Sequence, residues 1–251
     1  MDLKNIIKSL NFTIKSMCKD ESILENFSNK ICECLKSDII ILDIDGNVIY
    51  EFNNNLPSIT TSEKNIENQI VKQLENIEEI KTNITLDNLY TTKFDRESLK
   101  NIYGLFLPVY MYKEKIANII IYRKDTSFDN DINFVCEYIL SILTILIWNY
   151  KSLQLNEKQI KIQNIKSCID TLSYSELEAI LNIFEQLEKG EGLVIASKVA
   201  DKAGITRSVI VNALRKFESA RVIETRSLGM KGTYIKVLNE YLLKELNKFK
   251  K

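Results

Sequence analysis

The chain has 251 residues, of which 45% are hydrophobic and 27% are charged, and its 34 basic and 34 acidic side chains give a formal net charge of zero. This composition is that of a globular protein whose length allows two domains. The chain contains no histidine, which excludes Ser-His-Asp and Cys-His catalysis and histidine-ligated metals. We therefore predict that it is not an enzyme, and we expect no metal site and no bound cofactor.

The N-terminal part of the chain predicts two helices followed by a β-hairpin. Apolar residues recur with helical spacing over 3–17 and again over 22–36. The segment 37–52 then holds two β-rich runs on either side of an Asp-Gly-Asn sequence at 45–47. Glycine and asparagine tolerate the positive φ angles of a tight turn, so this segment predicts a hairpin.

The middle of the chain alternates helical and strand patterns. In order, it predicts a polar helix over 62–79, a loop with short strand pieces over 81–101, strands over 102–112 and 115–123 joined by a turn near Lys113-Glu114, and a helix ending near residue 169. Helices and hairpin strands in this order predict an α+β domain of the kind that senses small molecules, which we assign to 1–150.

The apolar run from Ile132 to Trp148 could form either a membrane-spanning helix or a buried helix. A spanning helix needs about 20 apolar residues, and this run includes Asn133 and Glu137. We predict a buried helix and no membrane partner. Because the N-terminus lacks a signal-like apolar core and the five cysteines are scattered, we expect a cytoplasmic protein. Residues 151–170 are polar without Gly or Pro, which predicts a semi-rigid helical linker.

The C-terminal quarter is strongly basic despite the neutral total. Residues 192–251 carry 13 Lys and Arg against 5 Asp and Glu, a net charge of +8, so the remaining 191 residues carry −8. A basic module attached to an acidic body is typical of a protein that binds a polyanion through one end.

This basic region also predicts a helix-turn-helix. Ser173 and Glu176 have the spacing of a capping box and open one helix. A second helix is predicted over 193–203, with Gly204 supplying the turn, and a third over 207–220. Two helices of this size joined by a short glycine turn form the motif that places its second helix in the DNA major groove.

Two short strands are predicted within 222–238, around a Gly-Met-Lys-Gly sequence at 229–232. Beside a recognition helix, such a basic hairpin is a wing that reaches the backbone or the minor groove. We therefore assign a winged helix-turn-helix domain to 171–251, with Thr206 capping its third helix. The residues predicted to contact DNA are Ala196, Ser197, Lys198, Thr206, Arg207, Ser208, Asn212, Arg215, Arg226 and Lys231.

Three segments carry a resemblance to a known family: SYSELEAI (173–180), EGLVIASKVADKAGITRSVIVNALRKFESA (191–220) and VIETRSLGMKGTYIKVLN (222–239). They resemble the C-terminal region of the CodY family, the global nutrient-responsive repressors of low-GC Gram-positive bacteria. The resemblance implies a GAF sensor domain, a long connecting helix and a winged-helix reader of AT-rich palindromic operators. It also implies a homodimer that responds to branched-chain amino acids and, in many members, to GTP.

The sensor half departs from the family pattern. The family holds the carboxylate of the amino acid with an arginine after the first hairpin, but residues 53–80 contain no Arg, Met or Phe. The family's Tyr-Thr-x-Phe-Pro stretch corresponds to residues 90–94 without the proline, and Thr91 is the ligand position that the resemblance carries over. Three cations could replace the missing arginine: Lys64, Lys72 and Arg96.

Three functions stay open from the sequence. The first is a repressor whose DNA affinity is set by a cytosolic metabolite such as a branched-chain amino acid or GTP. The second is a DNA binder of the same family that has lost branched-chain amino-acid sensing. The third is a nucleotide-signalling enzyme on the GAF-like domain, against which stand the missing histidines and the lack of a Walker-type loop.

Alternating apolar residues on the predicted strands allow two interpretations. They either line an apolar ligand pocket or fill the core, and core packing is the usual role of such residues. The residues in question are Ile39, Ile41, Leu105, Leu107 and Val109. The candidates for the dimer contact are Trp148 and the Ile-rich run 139–147, although we expect most of that run to be buried in the core instead.

Overall fold

The computed structural model describes residues 3–16, 22–53, 66–86, 99–187 and 190–249. The chain divides into two compact units, 1–152 and 153–251. The elements of the first unit are α1 (Leu3–Ser16), α2 (Ile23–Leu35), β1 (Asp38–Asp43), β2 (Val48–Phe52), α3 (Asn68–Glu75), β3 (Lys81–Thr85), β4 (Ile102–Met111), β5 (Glu114–Lys124) and the first half of α4 (Ile132–Asp170). Over the described ranges, its strands form an antiparallel five-stranded sheet in the order β2-β1-β5-β4-β3.

The predicted hairpin between β1 and β2 is confirmed, and its turn is held by one carboxylate. Asp43 Oδ1 accepts hydrogen bonds from the backbone nitrogens of Asp45 at 2.9 Å and Asn47 at 2.8 Å. Gly46 lies between them with φ +85°, which only glycine adopts without strain. The β4–β5 turn lies at Tyr112 and Lys113, one residue earlier than predicted, because Glu114 already pairs with Met111 as the first residue of β5.

One face of the sheet packs against α1, α2 and α4 and forms the larger core of the first unit. Along α4 the buried residues follow helical spacing: Ile132, Val135, Cys136, Ile139, Leu143 and Ile147. The strand residues considered for an apolar ligand pocket are Ile39, Ile41, Leu105, Leu107 and Val109, and all of them lie in this core with at most 1% of their surface exposed. Their burial in the core favours the packing interpretation over a ligand pocket.

The opposite face of the sheet is covered by α3. Ile70 and Leu74 on this helix pack against Ile40, Phe106 and Ile120 of the sheet. The predicted helix over 62–79 is therefore shorter, occupying Asn68–Glu75, and its residues 62–65 lie outside the described ranges.

By length and composition alone, α4 could cross a membrane. Such evidence from one helix is weak, because the core helix of a soluble protein passes the same test. One stripe of α4 is buried against the sheet, as predicted for a core helix. Other apolar side chains of this helix, Phe134, Ile145 and Trp148, are exposed.

The second unit contains the end of α4 and a small α+β fold. Its further elements are α5 (Tyr174–Glu185), β6 (Glu191–Val194), α6 (Ala196–Ala203), α7 (Arg207–Ser219), β7 (Ile223–Ser227), a 3-10 turn (Gly229–Lys231), β8 (Thr233–Val237), α8 (Leu242–Leu246) and a last 3-10 turn (Asn247–Phe249). Among the residues described here, the strands form a three-stranded sheet in the order β6-β8-β7.

The sequence missed strand β6. The segment 193–203 was predicted as one helix, and that prediction was wrong at its start, because Leu193 and Val194 pair with Tyr234 and Thr233 of β8. The helix begins only at Ala196. Pairing with a strand forty residues further along the chain is a tertiary effect that overrides local helix propensity.

Candidate nucleic-acid interface

The turn between α6 and α7 has the geometry of a helix-turn-helix. Gly204 closes α6 in the left-handed conformation with φ +66°, which is the conformation that glycine favours at a helix C-terminus. The backbone nitrogen of Ile205 donates to the carbonyl of Ala200 at 3.0 Å. Ala200 is buried and packs in the same core as the inner face of α7, so a small residue stands where the two helices meet.

Helix α7 has one buried face and one polar exposed face. Its buried residues are Ile210, Ala213, Leu214 and Phe217. The residues predicted to read bases are all exposed: Arg207, Ser208, Asn212 and Arg215. With about 3.6 residues per turn, Ser208, Asn212 and Arg215 share the side of the helix away from the core, and Arg207 is exposed in the first turn, at the edge of the buried face. The helix thus presents guanidinium, hydroxyl and amide groups together, which are the groups that hydrogen-bond base edges and phosphates.

Thr206 does not cap α7 with its side chain, contrary to the prediction. The residue occupies the N-cap position with an extended backbone, but no side-chain capping bond forms. Its Oγ1 lies 2.8 Å from the Oγ of Ser208 instead. The Thr206 side chain therefore satisfies no N–H group in the first turn of α7, where the Val209 nitrogen donates to the Thr206 carbonyl at 3.1 Å. Phosphate oxygens are suitable acceptors for the remaining N–H groups at a helix N-terminus.

Two acidic side chains connect α7 to its neighbours. Lys216 Nζ donates to Glu176 Oε2 of α5 at 2.7 Å and to the carbonyl of Thr171 at 2.9 Å. Glu218 Oε1 accepts from both the backbone nitrogen and the hydroxyl of Thr225 on β7, at 3.0 and 2.8 Å. Sequence reasoning found neither contact, because each joins elements whose proximity only the folded chain establishes.

The capping box that opens α5 is confirmed. Glu176 N donates to Ser173 Oγ at 3.3 Å, and Ser173 N donates to Glu176 Oε2 at 2.8 Å. The hydrogen bond from Lys216, followed by that from the Ser173 backbone, lowers the pKa of Glu176. This nearly buried carboxylate therefore caps one helix and binds a cation of another.

The wing consists of β7, the 3-10 turn and β8. The backbone nitrogen of Leu228 donates to the carbonyl of Gly232 at 2.8 Å, which closes the turn. Arg226 and Lys231 are exposed on either side of it, as are Ser197 and Lys198 on α6. Ala196 is half-buried and packs against the core of the unit, so it is the least accessible of the predicted DNA-contacting residues.

The residues predicted to bind an effector are described only in part. Thr91, Lys64 and Arg96 lie outside the described ranges. Lys72 is described, and it is exposed on α3. A lysine that the sequence did not single out, Lys115 on β5, donates to the carbonyls of Leu74 and Ile77 at the end of α3, and burial lowers its pKa.

The first unit has an open pocket of about 550 Å³ whose charge is acidic. It is lined by Glu78, Glu79, Ile80, Pro108, Tyr110, Asn133, Glu137, Leu140 and Thr144. Three carboxylates repel the carboxylate of an amino acid and the phosphates of a nucleotide. Within the described part of the chain, no three His, Cys, Asp or Glu side chains come together as a metal site.

These features define a class of protein: a regulator with an α+β sensor unit, a long helix and a winged helix-turn-helix that binds DNA. Residues 2–171 match the CodY GAF-like domain and residues 190–250 match the CodY helix-turn-helix domain. The chain belongs to the CodY family, as the resemblance of its C-terminal segments predicted.

Curated relatives match over the whole chain. The global transcriptional regulator CodY of Geobacillus kaustophilus strain HTA426 is 36% identical, covering 100% of this chain and 99% of that protein. That of Clostridium tetani strain Massachusetts / E88 is 37% identical, covering 97% of both. The structure of the cofactor binding GAF domain of the nutrient sensor CodY from Clostridium difficile has a TM-score of 0.43 at 13% identity, covering 59% of this chain and 98% of that one.

Proposed function

We propose that this chain is a cytoplasmic transcriptional repressor that binds AT-rich palindromic DNA as a homodimer and has no enzymatic activity. In this proposal residues 1–150 are the sensor, 151–170 the linker and 171–251 the DNA reader. The observation that carries it is the exposed polar face of α7, opposite a fully apolar buried face, in a segment of net charge +8. Exposed arginines on a helix of a locally basic module are the electrostatic pattern expected of a nucleic-acid interface.

The proposed contacts divide into two kinds. Arg207 and Asn212 lie in the first two turns of α7, the part of a recognition helix that contacts base edges. Arginine pairs with guanine and asparagine with adenine in the major groove. Lys198 on α6 and the two wing cations, Arg226 and Lys231, are proposed to bind phosphates and to set the register. Ala196, Ser197, Thr206, Ser208 and Arg215 complete the proposed interface.

An exposed apolar stripe on α4 supports the homodimer. Phe134, Ile145 and Trp148 are 72%, 58% and 38% exposed, and with Tyr138 and Ser141 they follow the alternating spacing of three and four residues typical of a helix–helix seam. A second copy that presents the same stripe would bury it in an isologous contact. A dimer then reads two half-sites about one turn of DNA apart.

A small-molecule effector is proposed to set the DNA affinity. Branched-chain amino acids or GTP are the proposed effectors, bound by the GAF-like unit. A second candidate is a DNA binder that has lost branched-chain amino-acid sensing. Two observations favour this second candidate. Lys72, one of the three cations considered as replacements for the family's arginine, is exposed on α3. The open pocket of this unit is lined by carboxylates.

Fluorescence anisotropy of the full chain with labelled duplexes tests the proposal. We expect the chain to bind an AT-rich palindrome at least 10³-fold more tightly than a scrambled duplex. The variant Arg207→Ala/Arg215→Ala should lose most of this preference. Lys124→Ala, which removes a cation exposed on β5, is the control and should bind like the wild type. Equal affinity for both duplexes would contradict sequence-specific recognition.

A further inference from the structure

The tip of the wing presents an apolar side chain where a loop is normally polar. Met230 is fully exposed, at 102% of its reference surface, and Leu228 beside it is 42% exposed. Loop tips are the usual place for small and polar residues. A methionine held out in solvent makes no packing contact within its own chain, so its side chain is available to contact a partner.

The turn that carries Met230 has a defined backbone conformation, held by hydrogen bonds. Gly229 and Gly232 adopt φ angles of +61° and +114°, and backbone hydrogen bonds join Leu228 to Gly232 and Lys231 to Leu228. A Cβ on Gly232 would lie 2.6 Å from the carbonyl oxygen of Val194, so glycine lets the wing pack closely on the end of β6. The side chain of Met230 is thus projected from a defined base.

The charges around this tip identify the partner as a polyanion. Arg226 and Lys231 flank it and are exposed, and the segment from 192 to the C-terminus has a net charge of +8. The two cations would bind the phosphates on both sides of a groove, which leaves the apolar tip above the groove floor. Proteins that bend DNA insert apolar side chains of this kind between base steps of the minor groove.

We propose that Met230 enters the minor groove of the operator and acts as an apolar wedge at a flexible AT step. Methionine suits this role because its unbranched thioether chain adapts to a narrow, irregular surface. Steps such as TA unstack readily, so the contact adds preference for AT-rich flanks without base hydrogen bonds. The inference rests on the proposed DNA-binding function and extends it to indirect readout by the wing.

The test uses the full chain and an operator duplex with 2-aminopurine at the step facing the wing. Wild-type binding should raise the fluorescence of the aminopurine, because the probe becomes unstacked. Met230→Ala should weaken operator binding five- to tenfold and abolish the fluorescence rise, while Met230→Leu should retain most of both. Lys231→Ala should reduce the salt slope by about one counterion, whereas Met230→Ala should leave that slope unchanged.

Two results would contradict the proposed insertion of Met230 without contradicting the proposed DNA-binding function. One is wild-type affinity, within twofold, and an unchanged fluorescence rise in Met230→Ala. The other is a loss of affinity in Met230→Ala with the fluorescence rise intact, which would place the side chain outside the groove. If the wild type itself fails to bind the operator in preference to scrambled DNA, the proposed function fails instead. Thermal melting checks that the variants fold, and equal midpoints are expected for so exposed a side chain.

Discussion

Lys216 on the proposed recognition helix binds Glu176 on the preceding helix α5, with 2.7 Å between Nζ and Oε2. The same carboxylate accepts the backbone N–H of Ser173, and the same ammonium donates to the carbonyl of Thr171. Lys216 and Glu176 therefore join the start of α5 to the last turns of α7. Because α7 is tied here and packed through Phe217, its opposite face keeps one orientation toward solvent.

Removing the carboxylate of Glu176 should destabilise the second unit. We expect Glu176→Ala to cost about 1 to 2 kcal/mol in the free energy of unfolding, because it removes half of a capping box and leaves Lys216 without its carboxylate partner. Urea unfolding followed by far-UV circular dichroism measures this loss. Glu178→Ala, an exposed carboxylate on the same helix, is the matched control and should unfold like the wild type. Equal losses in both variants would contradict the role of the contact.

The same contact predicts a dependence of stability on pH. Lys216 holds the pKa of Glu176 below the ordinary value of 4.5. A carboxyl with a lowered pKa in the folded state stabilises the fold at neutral pH, and this contribution is lost as the pH falls through the folded-state pKa. The difference in melting temperature between the wild type and Glu176→Gln should therefore be largest near pH 7 and should shrink below about pH 4. A difference that stays constant down to pH 3 would refute the charge contribution.

The capping box also shows which structural features local sequence can predict. Ser173 and Glu176 lie three residues apart and Gly204 directly follows a helix, so their roles follow from spacing and from the φ angles of glycine. The partner of Glu176 lies forty residues away at Lys216, and strand β6 forms only because β8 is beside it. Such tertiary contacts leave no periodic signal in the sequence.

The proposed interface likewise contains features that local sequence predicted and features that it did not. Periodicity identified the exposed face of α7, because buried and exposed residues alternate there with the helical repeat. Thr206 has the right residue type and position for a cap, but the nearby hydroxyl of Ser208 binds its side chain. In the sensor unit, alternation predicted buried strands, yet it could not separate a pocket from a core, since both require apolar residues on the same face.

Arg207 and Lys231 should differ in what their removal changes. Replacing Arg207 by alanine should cost about 1 to 3 kcal/mol on the operator and relax the base preference at one position. Replacing Lys231 should weaken all sequences about equally and reduce the salt slope by about one counterion. Binding curves on operator and scrambled duplexes at several salt concentrations separate the two effects. If Arg207→Ala weakened both duplexes equally, its role in reading bases would be wrong.

The exposed stripe of α4 should control the oligomeric state. Ile145→Glu places a charge in the proposed seam, where its desolvation opposes association, so we expect a shift from dimer to monomer at micromolar concentration. Analytical ultracentrifugation measures this shift. Ile44→Glu makes the same substitution at an isoleucine that is 47% exposed in the β1–β2 turn, and it should remain dimeric. A wild-type monomer, or a dimeric Ile145→Glu, would exclude this surface as the interface.

The second candidate function, a DNA binder that has lost sensing, predicts that branched-chain amino acids bind weakly or not at all. The missing arginine would supply two charge-assisted hydrogen bonds to the ligand carboxylate, each worth about 1.5 to 3 kcal/mol, and Lys72 is exposed on α3. Calorimetry with millimolar isoleucine tests this, together with operator binding in its presence and absence. Saturable binding below about a millimolar, or a tenfold gain in operator affinity, about 1.4 kcal/mol of coupling, would show that sensing is retained.

Selection of binding sites from a pool of random duplexes by the full chain tests the central claim most directly. The selected DNA should converge on an AT-rich palindrome whose half-sites are centred about one helical turn, roughly 10 base pairs, apart. The variant Arg207→Ala should select a degenerate version of the same site. A pool that stays random with the wild type, or that converges on a single isolated half-site, would contradict a dimeric, sequence-specific DNA reader.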